Sequence, residues 1–203
     1  MPDPATRSRW RDHALILGHF VRRPASIGTV APSSARLARQ MVQALEPDRP
    51  QTIVELGPGT GSFTEAIVPR IGRAGRFLAV EIEPAFVEQL RRRFSSLDCV
   101  CASAAELVAL TRDRGFGPVD HIVSGLPFAS LPPATTRQVL DAIEQVLRPG
   151  GTFTTFQYLH AYLLPRAAAF RRDVSVRLGG EPTRAVVAWN IPPAFVLRWR
   201  TRP

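Results

Sequence analysis

Short apolar runs alternate with stretches of helical period along most of this chain. Gln51–Leu56 (QTIVEL) reads as a buried strand, and Gly61–Arg70 as the helix that follows it. Arg76–Ile82 (RFLAVEI) is a second strand. Pro84–Phe94 is a second helix, with proline in its first turn. Leu97–Cys101 predicts a third strand, a short helix is expected near Ser103–Thr111, and Val119–Ser124 (VDHIVS) is a fourth strand. In Pro132–Leu147 the residues Val139, Leu140, Ile143, Val146 and Leu147 share one helical face. Pro149-Gly150-Gly151 is expected to break the pattern before a fifth strand, Gly151–Tyr158. Arg184–Trp189 and Phe195–Arg200 predict two closing strands around Asn190-Ile191-Pro192-Pro193. Strands that alternate with helices imply an α/β, doubly wound, Rossmann-like fold. Its seven-stranded sheet is expected to be mostly parallel, with one antiparallel strand and helices on both faces.

A further amphipathic helix is expected ahead of the sheet. On a helical wheel Trp10, Ala14, Leu17 and Val21 fall within a narrow arc, flanked by His13 and Phe20. Arg11, Asp12, His19, Arg22 and Arg23 lie opposite. A helix over Thr6–Arg22 would be about 25 Å long. An apolar stripe with a tryptophan and arginine flanks suits a bilayer interface; it equally suits packing against a core. The segment Ser26-Ile27-Gly28-Thr29-Val30-Ala31-Pro32-Ser33-Ser34 then leads into another helix, with a serine expected as N-cap.

Composition narrows the classes. The 203 residues are 45% hydrophobic and 21% charged, enough for one domain with a buried core. The net charge is +9, and every basic residue is arginine. Without lysine, a Schiff-base lysine and a phosphate-loop lysine are excluded. Residues 1–25 hold five arginines against two acids, residues 26–163 are neutral, and residues 164–203 hold eight arginines against two acids. Charge placed at the two ends suits a nucleic-acid enzyme, an enzyme resting on an anionic membrane, or a solvated arginine-rich surface. Cys99 and Cys101 cannot build a disulfide framework, and a reducing compartment is expected. No apolar run approaches the roughly 18 residues of a membrane span, so a cytoplasmic protein is expected. The histidines and cysteines are not at ligand spacings, and no metal is expected.

Candidate chemistry concentrates in Glu55-Leu56-Gly57-Pro58-Gly59-Thr60-Gly61, between a strand and a helix. Glycines at alternate positions permit a tight turn and close approach of backbone to a ligand, and the helix start beyond them can receive an anionic group. The spacing differs from the dinucleotide fingerprint, and an acid stands two residues before the first glycine. A carboxylate there suits a ligand with an ammonium group. Glu81 ends the second strand, where a doubly wound sheet places an acid for a ribose diol.

These residues and the strand order resemble the class I S-adenosylmethionine-dependent methyltransferases, over residues 50–200. The resemblance implies S-adenosylmethionine as cofactor and S-adenosylhomocysteine as product. It implies that Glu55 and the backbone of Gly57, Gly59, Thr60 and Gly61 hold the methionine end. Glu81 would hold the ribose, with Ile82 against the adenine. Ser103 and Ala104 occupy the place where the family often has an acid followed by a small residue.

After the fourth strand comes Ser124-Gly125-Leu126-Pro127-Phe128, where the resemblance brings the methyl acceptor to the cofactor. It is similar to the N-L-P-F or N-P-P-Y signature of adenine-N6 methyltransferases. Serine in place of that asparagine, followed by glycine, removes the clamp on a planar amino group and points to a different nitrogen. Gly125, Leu126, Pro127 and Phe128 are the expected acceptor-binding residues.

The segment Ser26–Ser34, with VELGPGTG, VEIEP, SGLPF and WNIPPA, resembles soluble bacterial phospholipid N-methyltransferases, relatives of the ribosomal RNA adenine dimethylases. The resemblance covers nearly the whole chain. It implies successive methylation of phosphatidylethanolamine to phosphatidylcholine, with reversible binding to the inner face of the membrane. Arg9, Trp10, Leu17, Phe20, Val21 and Arg22 would make that membrane contact. The implied domains are residues 1–30, a docking helix with a cofactor-covering loop, and residues 31–203, the methyltransferase domain. Tyr158 and Ser124 are candidates at the reacting centre, the tyrosine ring also facing a cationic product. His160 and His19 are candidate proton acceptors. Arg22, Arg23, Arg166, Arg171 and Arg172 are candidates for a head-group phosphate. The competing readings are an RNA adenine methyltransferase, an enzyme of another amino-lipid such as an ornithine lipid, and a membrane-bound cofactor-binding protein without turnover. With Ser124 for asparagine and little length for an RNA-binding domain, nucleic acid is not the expected partner.

Overall fold

A computed structural model describes residues 32–203 of the chain. The expected N-terminal amphipathic helix, its membrane-contact residues, His19, and the segment 1–30 as a unit lie outside the described residues. The described residues open on α1 (Pro32–Met41), with Ser33 and Ser34 in its first turn, and the N-cap position ahead of it lies outside them.

Seven strands form one sheet in the order β3-β2-β1-β4-β5-β7-β6. They are β1 (Thr52–Leu56), β2 (Arg76–Glu81), β3 (Asp98–Cys101), β4 (Val119–Ser124), β5 (Leu147–Tyr158), β6 (Thr183–Val187) and β7 (Ala194–Arg200). The first five pair in parallel, and β7 runs antiparallel to both of its neighbours. Central strands covered on both faces read as continuous apolar runs, because every side chain leaves water. In β1 the residues Ile53, Val54 and Leu56 are all fully buried.

Helices cover both faces. On one face Ile53, Phe77, Ala79, Val123 and Val196 pack with Leu37 and Met41 of α1 and Ile67 of α2 (Ser62–Ile67). Val87 and Leu90 of α3 (Pro84–Arg93) join the same cluster. On the other face the core is aromatic. Phe153 stacks on Trp199 at 5.8 Å, and Phe128 stacks on Phe170 of α7 (Pro165–Leu178) at 4.4 Å. The Trp199 indole N–H donates to Ser175 Oγ at 3.0 Å, which ties α7 to β7. The remaining helices are α4 (Leu107–Asp113), α5 (Pro133–Val146) and the single turn α6 (Leu159–Tyr162). In α5 the predicted face is the buried one: Val139, Leu140, Ile143 and Val146.

Two expectations need correction. The helix expected to run to Leu147 and to break at Pro149-Gly150-Gly151 ends at Val146, and those three residues lie inside the following strand, not ahead of it. β5 starts at Leu147, and a register shift between Val119 and His121 absorbs the extra residues as a bulge. The segment between β5 and β6, unassigned by the sequence pattern, folds into α6 and α7. In α7 the buried side chains Ala167, Phe170, Val174 and Leu178 are spaced three to four apart but mixed with exposed apolar Val176, which blurs the stripe.

The order matters for function. β1 sits between β2 and β4, and the chain leaves it toward β2, so a crevice opens at the carboxyl ends of β1 and β4.

One buried base tests the packing of this sheet. His121 is buried in β4 with its Nδ1 2.7 Å from Thr152 Oγ1, and its Nε2 has no partner among the described residues. Burial pushes its pKa down to about 4, against the pull of Asp120 beside it. Between pH 6.5 and 4 the unfolded chain takes up this proton and the folded chain does not. Acidification through that window will therefore remove about 3 kcal/mol of stability from the wild type relative to a His121→Gln variant. Urea unfolding of both proteins at several pH values checks this. The difference between the two curves is the quantity to read, since Glu55 titrates in the opposite sense over an overlapping range.

Candidate functional site

The site begins with a carboxylate inside the sheet. Glu55 is the penultimate residue of β1, and its neighbours in register are Ala79 and Val123. Its side chain is fully buried. Thr64 Oγ1, on the second turn-facing position of α2, donates to Glu55 Oε2 at 2.7 Å. Oε1 is buried with no partner among the described residues. Burial raises the Glu55 pKa to about 8, the Thr64 bond opposing and the charge of Glu81 reinforcing it.

The glycine loop closes over this acid. Gly57, Gly59 and Gly61 have φ of +66°, +56° and +89°, a region that side chains with a Cβ rarely adopt. A Cβ on Gly57 would stand 2.7 Å from Leu126 Cδ2, and one on Gly61 would stand 2.9 Å from Leu90 and Phe94. A Cβ on Gly59 would meet nothing within 4 Å among the described residues, so this is the side of the loop that they leave open. The glycine N–H groups are committed internally. Gly57 donates to Val80 O at 2.9 Å, Gly61 to Pro58 O at 2.9 Å, and Gly59 to Glu81 Oε2 at 2.9 Å. With those donors used and an unpartnered carboxylate oxygen beneath, the loop suits a cationic group.

Glu81 ends β2 and is also buried. Its carboxylate accepts from the N–H of Gly59, from Ile82 at 2.8 Å and from Glu83 at 3.0 Å. Burial raises its pKa, and these three bonds oppose the rise. A carboxylate has room for about four acceptor contacts, so Glu81 keeps capacity for a hydroxyl after holding the loop. Ala102 N–H donates to Glu81 O at 2.9 Å and brings the end of β3 alongside. There Ser103 Oγ accepts from Ala105 N–H at 3.2 Å, capping the turn that contains Ala104. Ile82 and Ala104 are half-buried around the same strand ends, and Thr60 is exposed on the loop.

The loop after β4 meets the loop after β1. Gly125 N–H donates to Leu56 O at 2.8 Å, and a Cβ on Gly125 would lie 2.6 Å from Gly57 O. Only glycine allows this approach. Ser124 is fully buried, and its hydroxyl accepts from Leu126 N–H at 3.3 Å. Leu126 and Pro127 line the turn, both half-buried. Phe128 is a correction: it is buried against Phe170 and Phe153 and belongs to the core, not to an acceptor wall.

Tyr158 is the last residue of β5 and His160 lies just past it in α6, both exposed and stacked at 5.7 Å with their planes 10° apart. A row of rings joins them to the crevice: Tyr158 contacts Phe156 edge-on at 5.3 Å, and Phe156 contacts Phe63 at 5.8 Å. Phe63 in turn lies 3.6 Å from the position of a Cβ on Gly125. Sequence reasoning missed Thr64, Phe63 and Phe156. The first two follow the glycine loop directly and could have been found from the inward turn of α2; Phe156 shares the strand face of Tyr158 two residues on. Among the arginine candidates, Arg171 is committed to Gln157 Oε1 and Tyr162 O, both at 2.8 Å, while Arg166 and Arg172 are exposed.

Known proteins agree with this geometry. A family profile described as a methyltransferase domain matches residues 54–153. The ornithine lipid N-methyltransferase of Singulisphaera acidiphila is 36% identical over 146 residues, 70% of this chain and 76% of that protein. The ribosomal RNA small subunit methyltransferase A of Koribacter versatilis is 37% identical over 86 residues, 42% of this chain but only 29% of that protein. Among solved structures, an O-methyltransferase from Bacillus cereus with S-adenosylhomocysteine has the same fold, with a TM-score of 0.63 and 14% identity. That match covers 99% of this chain and 93% of the other. The residues present fit S-adenosylmethionine: the orphaned Glu55 Oε1 suits its ammonium, and the spare acceptor capacity of Glu81 suits its ribose diol.

A protonated Glu55 must ionise to face an ammonium. Calorimetric titration with S-adenosylmethionine at pH 7, in buffers of different ionisation enthalpy, will therefore show release of roughly one proton on binding. Glu55→Gln will abolish that release and weaken binding tenfold or more.

Proposed function

The chain belongs to the class I S-adenosylmethionine-dependent methyltransferases, and from that premise we propose that it methylates the amine nitrogen of an amino-lipid head group. A lipid of the ornithine type is the acceptor favoured, because the likeness to an ornithine lipid N-methyltransferase runs over 76% of that relative. This changes the order of the expectations: phosphatidylethanolamine, placed first on the sequence, becomes the second acceptor to test. Both present a primary amine, so the chemistry is shared.

Ser124 supports an aliphatic amine over an adenine. Its hydroxyl is buried and accepts from Leu126 N–H, and no carboxamide stands there to align a planar amino group. The RNA reading also has the weaker likeness, confined to 29% of the relative.

When bound, the cofactor supplies a methyl group activated on a sulfonium. The protein's part is to position and desolvate the partners. Glu55 and Glu81 hold the two ends of the cofactor while Gly59 leaves the space between them open. The amine attacks only as a neutral base, so its proton must leave first. Burial raises the Tyr158 pKa, so its phenol stays protonated at neutral pH and serves as a hydrogen-bond partner, not as a base. In this reading Tyr158 orients the amine through its oxygen and meets the cationic product through its ring. His160, stacked on that ring, is the proton acceptor nearest to it by sequence.

The test supplies radiolabelled S-adenosylmethionine with three acceptors separately: vesicles with ornithine lipid, vesicles with phosphatidylethanolamine, and ribosomal RNA. Label in ornithine lipid is expected; label in RNA alone sinks the proposal. Tyr158→Phe should lower kcat/KM on the lipid about tenfold, the worth of one hydrogen bond in the transition state, with cofactor affinity unchanged. Full turnover in that variant would remove the hydroxyl from the mechanism.

A further inference from the structure

The rim of the sheet beside the crevice carries apolar side chains that the core does not take up. Trp189 is 76% exposed, Ile191 89% and Leu163 85%. They stand on two segments: the turn between β6 and β7, and the link from β5 through α6 to α7. Leu159 N–H donates to Pro193 O at 2.8 Å, and Tyr158 is in register with Ala194, so the segments lie side by side. This is the carboxyl end of β5, three residues past Thr155, the register partner of Ser124.

The turn is built to present these side chains. Asn190, between the two exposed residues, points inward and is buried. Its Nδ2 donates to Pro192 O at 2.7 Å, and its backbone N–H donates to Val187 O at 3.3 Å. With Asn190 turned in, Trp189 and Ile191 face out. The exposure is thus a property of a bonded turn.

Positive charge lies beside the patch. Arg36 and Arg39, one turn apart on α1, line a cleft of about 230 Å³ with Trp189. Arg184 donates to the Tyr162 hydroxyl at 3.1 Å, next to Leu163. Among the described residues, Arg36, Arg39 and Arg184 have no carboxylate within 4 Å, whereas Arg177 on α7 has three: Asp141, Glu144 and Asp173. Apolar side chains flanked by arginines that no carboxylate of the described residues neutralises complement an anionic bilayer. Tryptophan favours the head-group level, aliphatic side chains enter the acyl boundary, and arginines meet lipid phosphates.

We propose that this rim docks on the surface of an anionic phospholipid bilayer, with Trp189, Ile191 and Leu163 entering the interface and Arg36 and Arg39 meeting lipid phosphates. The crevice then opens toward the membrane, and an amino-lipid reaches it without leaving the bilayer. Only that consequence rests on the lipid-acceptor reading.

The test uses the full chain and vesicles of phosphatidylglycerol with phosphatidylcholine, which carry no methylatable amine. In co-sedimentation the wild type should partition to these vesicles, and far less to pure phosphatidylcholine. Trp189→Ser with Ile191→Ser should weaken partitioning at least tenfold. Arg36→Gln with Arg39→Gln should remove most of the preference for phosphatidylglycerol and flatten the salt dependence. Cofactor affinity within twofold of wild type confirms that each variant is folded. Equal partitioning of the Trp189, Ile191 variant and wild type overturns the inference. So does a loss of self-association in that variant with vesicle binding unchanged, which would make the patch a contact between copies of this chain. A protein that docks in this way but labels only RNA leaves the docking face standing and removes the lipid acceptor. One that labels lipid while the variants bind like wild type does the reverse.

Discussion

Burying a carboxylate costs several kcal/mol unless something compensates, and this fold buries two at the ends of neighbouring strands. Glu81 is compensated by three backbone N–H groups, one of them from Gly59 on the loop after β1. That bond fixes the height of the glycine loop above the sheet. Among the described residues Glu55 is compensated on one oxygen only, by Thr64, and its other oxygen is buried without a partner. The free protein therefore keeps Glu55 protonated near neutrality, and a cationic group is what this environment lacks. The positive φ values, the contact of Gly125 with Gly57 and the open side at Gly59 all follow from closing a loop over these acids.

The second constraint is the meeting of two loops at the switch point. Gly57 O and Gly125 approach so closely that neither strand end can shift without the other. Ser124 sits beneath this contact with its hydroxyl turned to its own loop. The same position serves packing and, in the proposed reading, acceptor choice, since the side chain that holds the turn is too short to grip a planar base. The aromatic row from Phe63 through Phe156 to Tyr158 carries the site outward along β5 to the rim, where Trp189 and Ile191 project.

The +9 charge looks different on the folded chain. In the sequence it divides between the two ends. In the described structure Arg36 and Arg39 of α1, from the neutral middle of the sequence, come beside Trp189 of the C-terminal hairpin, so the cleft joins segments about 150 residues apart. Arginines of the C-terminal surplus are neutralised in part, as Arg177 is by three acids.

What the sequence determined by itself was the local and repeating part. Strand and helix order, the apolar face of α5, the glycine loop and the two strand-end acids were legible because each depends on residues close in sequence, read by period or by conformational need. Its errors were also local: the strand expected to start at Gly151 starts at Leu147 and takes in the proline-glycine-glycine run as a bulge, since pairing with β4 on both sides of it holds the backbone. Helix α7 was missed because its buried residues are few and its exposed face includes Val176. The tertiary structure alone decided which groups lack partners. The orphaned oxygen of Glu55, the inward turn of Phe128, the row of rings from Phe63 to Tyr158 and the outward turn of Trp189 all depend on contacts between distant segments, and burial and hydrogen bonding are settled only when those segments meet.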